Sequence, residues 1–192
     1  VVSHDNPVSA VDDRDLVARA RAGEDRALDE LVSRHHAVAW RVAVRITEGD
    51  EDLAADATQD AFVKAFRRLD AFRGDGSFRS WLLSIVANEA RTLLRRRGRR
   101  RETGLDDAGP LRSDAPDAAE RTVLRDEVAR VRASLARLPE KQRLSVSLRL
   151  EDGLSFREVG ELTGSSEGAA RVNYHHGIRK LREMLVETTE ST

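Results

Sequence analysis

The sequence contains no cysteine, which removes disulfides and thiolate metal sites from consideration. Aromatic residues are scarce, at 4%, against 35% charged residues. With many Ala, Arg and Leu, that balance points to helices rather than sheets. No apolar run approaches membrane-spanning length and no signal-peptide pattern opens the chain, so a cytoplasmic protein with no membrane contact is expected. What remains is a 192-residue chain, enough for one or two domains with small helical cores.

The net charge of −1 hides strong segregation. Residues 1–60 carry 7 Arg/Lys against 14 Asp/Glu, 61–101 carry 12 against 3, 102–120 carry 1 against 6, and 121–192 carry 13 against 11. An acidic first part, a strongly basic segment, an acidic connector and a near-neutral end imply two different macromolecular partners.

Residues 1–11 lack periodicity and are expected to form a disordered tail. Asp12 or Asp13 caps a short helix to about 22, carrying Leu16, Val17 and Ala20 and ended by Gly23. A longer helix over 25–47 puts Leu28, Leu31, Val32, His35, Val38, Ala39, Val42 and Ile46 on one stripe. His35 and His36 are adjacent and point to different faces, so they cannot clamp a metal as an i,i+4 pair would. A third helix over 50–69 turns Leu53, Ala57, Ala61, Phe62, Ala65 and Leu69 to a core. On another side it carries Asp52, Asp56, Gln59, Asp60 and Val63 at spacings of three and four. By periodicity alone that row is either a solvated face or a surface for a basic partner. No ligand converges on Asp56 and Asp60, so neither a metal, a cofactor nor a catalytic centre is read there.

The turn DAFRGDGS over 70–77 follows, and its Ser77 can cap a fourth helix. Phe78, Trp81, Leu82, Ile85, Val86 and Leu93 supply the apolar side. The far end holds Arg91, Arg95, Arg96, Arg97, Arg99, Arg100 and Arg101, seven arginines in eleven residues, more than a helix dipole needs. A cationic helix end after exposed aromatic and amide residues is the composition expected for backbone contact and base stacking on unpaired DNA.

Residues 102–120 mix Gly, Pro, Ser and acids without a period and read as a flexible linker. A helix over 118–137 follows, with Val123, Leu124, Val128, Val131 and Leu135 inward, and Pro139 takes the first position of the next. Leu144, Val146, Leu148 and Leu150 alternate as in a strand; helix is preferred because a lone strand has nothing to pair with. Ser155 and Glu158 then form a capping box, opening a helix that buries Phe156, Val159 and Leu162. Thr163-Gly164-Ser165-Ser166 breaks it. Ser165 or Ser166 caps a second helix with Ala169, Val172, Ile178, Leu181 and Leu185 on one stripe. Such a pair is a helix-turn-helix, or else a helical hairpin with a solvated outer face. Arg171 and Asn173 are side chains that make bidentate contacts to base edges in the major groove.

Taken together, the Asp56/Gln59/Asp60/Phe62 helix, FRGDGSFRSWLLSIVANEA, the Arg-rich end, the linker, LPEKQR and DGLSFREVGELTGSSEGAARV closely resemble the bacterial extracytoplasmic-function sigma factors of the sigma-70 family. The resemblance spans about residues 13–186. It implies an all-α fold of two small domains: region 2 over 12–101 and a region 4 helix-turn-helix over 120–186, joined by a linker over 102–119, with a tail over 187–192. The implied function is transcription initiation without enzymatic activity. Asp56, Gln59, Asp60 and Val63 match the surface that docks on core RNA polymerase, whose clamp helices and flap are the implied contacts. Phe72, Asp75, Ser77, Phe78, Trp81, Asn88, Arg91, Arg95, Arg96 and Arg99 match the part that captures the melted -10 element. Ser166, Arg171, Asn173, His175, His176, Arg179 and Lys180 would read the -35 element as duplex. Thr92, Val172 and His176 depart from the residues usual in the family. Promoter DNA and an anti-sigma factor are the other implied partners, and the linker would leave the two readers at no fixed spacing.

Overall fold

The computed structural model describes residues 12–102 and 123–190. The expected tail over 1–11 and nearly all of the linker lie outside the described residues, as do the side chains of Val123 and Leu124. Every regular element among the described residues is helical: α1 Asp13–Arg21, α2 Asp25–Ile46, α3 Glu51–Arg67, a 3-10 turn Leu69–Ala71, α4 Phe78–Glu102, α5 Val123–Ala136, α6 Glu140–Leu150, α7 Phe156–Thr163 and α8 Glu167–Glu190. The last helix runs past 186, where a tail was expected.

Local chemistry sets the boundaries. The Asp12 side chain accepts from Arg14 N at the start of α1, and Asp50 accepts from Leu53 N at the start of α3, each satisfying an orphan helix donor. Gly23 and Gly49 follow α1 and α2 with φ of +88° and +90°, a left-handed backbone in which a Cβ is strained.

The α1–α4 unit is a bundle whose interior is rich in small residues. Ala39, Ala43, Ala54, Ala57, Ala61, Ala65 and Ala90 are fully buried, letting α2, α3 and α4 approach closely, while Leu16, Leu31, Val42, Leu82 and Val86 fill the remaining space. Each fully buried Leu or Val contributes about 1.5–3 kcal/mol. Leu53 is only half-buried; the neighbouring Ala54 takes the core position.

In the α5–α8 unit, α6 is a helix despite its alternating sequence. It packs against α7 and α8 and also touches α2, so Leu144, Val146 and Leu148 are buried together with Ser145 and Ser147. A helix covered on several sides loses its amphipathic signature. Pro139 sits at the N-cap, one residue before the expected place. Two expectations fail here. Val128 and Val131 are 50% and 39% exposed, on a side of α5 that its packing against α8 leaves open; with Val146, Leu150 and Leu181 they line an open apolar groove of about 470 Å³. Val172 is 54% exposed, whereas Ile178 and Leu181 of the expected stripe do face inward, joined by Ala170, Tyr174 and Gly177.

Candidate nucleic-acid interface

On α3, Asp52, Asp56, Gln59, Asp60 and Val63 are all exposed on one side, opposite the buried Ala54, Ala57, Ala61 and Ala65. The geometry is that of an acidic strip with one apolar residue, Val63, at its end.

The turn after α3 is built over aromatic rings. Phe72 and Phe78 are 6% and 2% exposed and meet edge to face, with centroids 5.8 Å apart; each also packs against the half-buried Trp81. These two phenylalanines, which the resemblance implied as contacts to DNA, are core residues whose rings hold up the turn, as the apolar spacing of α4 predicted for Phe78. Arg21 Nη2 adds donations to Leu69 O and Phe72 O, at 2.7 and 2.5 Å. Ser77 Oγ accepts from Ser80 N at 3.0 Å, capping α4 as its position predicts. Above the rings, Gly74, Asp75, Gly76, Ser77 and Trp81 line an open depression of about 310 Å³, which Arg157 and Glu161 of α7 also border.

Along α4, Asn88, Arg95, Arg96 and Arg99 are exposed and Arg91 is half-buried. Arg97 is held by the Asp50 carboxylate, joining the cationic end to the start of α3. Burial of Arg91 pushes its guanidinium below the usual arginine value, and it donates to the carbonyl of Leu162.

In the helix-turn-helix, the capping box is complete: Ser155 Oγ accepts from Glu158 N, and the Glu158 carboxylate accepts from Ser155 N at 2.7 Å. Gly164 ends α7 with φ +61°, and Ser166 Oγ accepts from Ala169 N at 3.1 Å to cap α8. Gly160 is buried where a Cβ would lie 2.9–3.1 Å from backbone atoms of Ser165, Ser166 and Glu167, so the turn closes only on glycine. Ser166, Arg171, His175, His176 and Arg179 are exposed on α8; Asn173 and Lys180 are half-buried. Phe156 is half-buried rather than in the core.

The structure also brings the two units together, where the sequence led us to expect no fixed spacing. At the α6–α7 corner, the Asp152 carboxylate is fully buried; it accepts from Arg41 Nε at 2.8 Å and Arg45 Nε at 3.0 Å. Arg79 Nη2 donates to Asp152 O at 2.6 Å, and Ser80 Oγ to the Glu158 carboxylate. Burial opposes ionisation of Glu158, yet the hydroxyls of Ser80 and Ser155 and the Ser155 N–H hold its carboxyl below the usual range. Leu144, Leu148, Leu154, Val159 and Leu162 continue the apolar core of α1–α4. None of these cross-unit partners was legible in the sequence.

Comparison with known proteins follows the same division of the chain. A family model described as Sigma-70 region 2 matches residues 31–100, and one described as Sigma-70, region 4 matches 129–181. The RNA polymerase sigma-H factor of Pseudomonas aeruginosa is 35% identical over 167 residues, 83% of this chain and 86% of that protein. The chain belongs to the sigma-70 family. The ECF RNA polymerase sigma-E factor of Escherichia coli K12 is 34% identical over 168 residues, 83% of this chain and 86% of its own length. Among solved structures, CnrH in complex with the cytosolic domain of CnrY is 31% identical, with a TM-score of 0.63, covering 91% of this chain and 97% of that one. RpoE of Bartonella quintana, solved with the anti-sigma factor NepR, shares the fold at 23% identity and a TM-score of 0.64, covering 82% and 95%.

This sigma factor is therefore a promoter-directing initiation factor of the ECF type and not an enzyme. It binds core RNA polymerase and promoter DNA. Among the described residues, no helix is long and apolar enough to cross a membrane. Val172, named from the sequence as a departure from the family but also placed on the inner stripe, is an exposed apolar side chain on α8.

Proposed function

We propose that the three surfaces divide the work of initiation. The strip Asp56, Gln59, Asp60 and Val63 docks on core RNA polymerase at the clamp helices of its largest subunit. The turn with Asp75, Ser77 and Trp81, continued by Asn88, Arg91, Arg95, Arg96 and Arg99, takes the melted -10 strand, with Phe72 and Phe78 as its underlying support. Ser166, Arg171, Asn173, His175, His176, Arg179 and Lys180 read the -35 element, with the unit from about 120 to 186 as the reader and that over 12–101 as the strand-capturing part. The observation that supports this is the separation of charge on one chain: exposed carboxylates on α3, exposed arginines on α4, and a polar α8 rigidly capped against α7.

Capture of an unpaired strand melts DNA without ATP, because it stabilises the open form rather than doing chemical work. In the closed arrangement Arg79, Ser80 and Arg91 are engaged by the α6–α7 segment. Docking on polymerase would separate the two units and fix them at promoter spacing, turning two weak contacts into one tight one. An anti-sigma factor, the kind of partner solved with RpoE of Bartonella quintana, is proposed as the antagonist, and action on RNA polymerase supports a cytoplasmic location.

The experiment is gel filtration of the protein mixed with core RNA polymerase. Wild type co-elutes. Asp56→Arg with Asp60→Arg keeps its helicity and melting temperature, since exposed carboxylates add little to stability, but fails to co-elute because like charges meet at a basic clamp. Co-elution of the folded double variant would remove this strip from the docking surface.

A further inference from the structure

Phe156 opens α7, yet its ring lies half-buried against the recognition helix α8. Three residues on one side of α8 surround it. Arg171 places its guanidinium carbon 5.1 Å from the ring centroid, Tyr174 meets the ring edge-on at 5.4 Å, and His175 lies at 6.4 Å. From α6, Arg149 brings a second guanidinium to 5.2 Å while donating from Nη1 to Leu154 O at 2.8 Å. One aromatic ring thus ties the recognition helix to both preceding helices.

The chemistry of Arg171 gives this geometry a consequence. An arginine on an exposed helix surface has many rotamers, and ordering it for base contact costs side-chain entropy. Here Arg171 is already restrained at two points. Its guanidinium sits over Phe156, and Nη2 donates to Glu167 Oε1 at 3.0 Å. The ring contact consumes no N–H donor and Glu167 takes only one, so donors remain on the guanidinium for bidentate recognition of guanine. The side chain remains 56% exposed, leaving edge donors accessible.

We propose that Phe156 is a positioning residue for promoter reading: its ring sets the orientation in which Arg171 meets a base edge, and so sharpens the base preference at one position of the -35 element. This rests on the reading of Arg171 as a base contact. Phe156 itself touches no base in this role.

The test uses the full chain reconstituted with bacterial core RNA polymerase, transcribing a promoter library randomised across the -35 element, with the selected templates sequenced. Arg171→Ala is expected to flatten the preference at one base pair. Phe156→Leu, which keeps apolar volume beside Tyr174 but removes the quadrupole, is expected to weaken the preference at that same pair about two- to fivefold, leaving other positions unchanged. Phe156→Tyr restores the wild-type profile, and Phe156→Leu added to Arg171→Ala causes no further loss there. If Arg171→Ala flattens one position while Phe156→Leu changes none, or lowers all positions uniformly with a lower melting temperature, Phe156 is merely structural and the proposal falls alone. If Arg171→Ala alters no preference, the reading of Arg171 falls, and the positioning role with it.

Discussion

Asp152→Asn is expected to open the chain without unfolding either helical unit. The wild-type carboxylate has no exposed surface and accepts from Arg41 and Arg45, whose side chains are 47% and 17% exposed. Breaking a fully buried ion pair from one side costs about 3–5 kcal/mol. The cost is smaller here, because asparagine still accepts one hydrogen bond and Arg41 is half in water, leaving about 2 kcal/mol. That is about a thirtyfold shift from closed to open. Absence of cysteine makes the assay clean: Asp29→Cys on α2 and Arg182→Cys on α8, both exposed positions, give a unique pair for fluorescent labels. Energy transfer between them should fall in Asp152→Asn and in Arg41→Ala, less than additively when the two are combined, because both remove one interaction. Circular dichroism should show unchanged helicity. Unchanged transfer in a folded Asp152→Asn protein would refute the assignment of Asp152 as the element holding the units together.

Two further outcomes concern the scaffold. Gly160→Ala should lower stability by about 1–3 kcal/mol in denaturant titration, since its Cβ would press on unyielding backbone of the turn, whereas Gly168→Ala, whose Cβ would meet only Ser166 Oγ at 4.0 Å, should be neutral or mildly stabilising. The second outcome is acid sensitivity of the α1–α2 contact. A hydrogen bond from His35 Nε2, 2.8 Å away, holds the Asp13 carboxyl below its usual range against the opposing effect of burial, and Arg34 assists. A depressed carboxylate contributes stability above its unfolded pKa, and that contribution is lost as pH falls through the folded value. Asp13→Asn should therefore flatten the acid limb of the stability–pH curve while lowering stability at neutral pH; an unaltered acid limb would count against this contact.

Short-range patterns carried much of this protein. Apolar spacing gave α2 and α3, the Ser155/Glu158 pair gave the start of α7, the Thr163–Ser166 break its end, and helical spacing alone put the carboxylates of α3 away from the core. These features depend on residues a few positions apart, whose geometry a helix fixes by itself. The charge blocks and the match to both sigma regions, in order, likewise needed only the chain.

What the chain alone could not decide was which side of a helix another helix would cover. The resemblance put Phe72 and Phe78 against DNA, although apolar spacing had already turned Phe78 inward; both became floor, because α1, α2 and α4 converge on that turn. Val128, Val131 and Val172 looked internal and stayed in solvent, because they lie on sides of α5 and α8 that no neighbouring helix covers. Ser145 and Ser147 went inside because α6 is covered on more than one side. The contact of Asp152 with Arg41 and Arg45 joins residues more than a hundred positions apart. Periodicity describes one helix against an unspecified core. Burial, and the pairing of a charge once water is excluded, are properties of the elements that happen to meet, and only the tertiary structure names them.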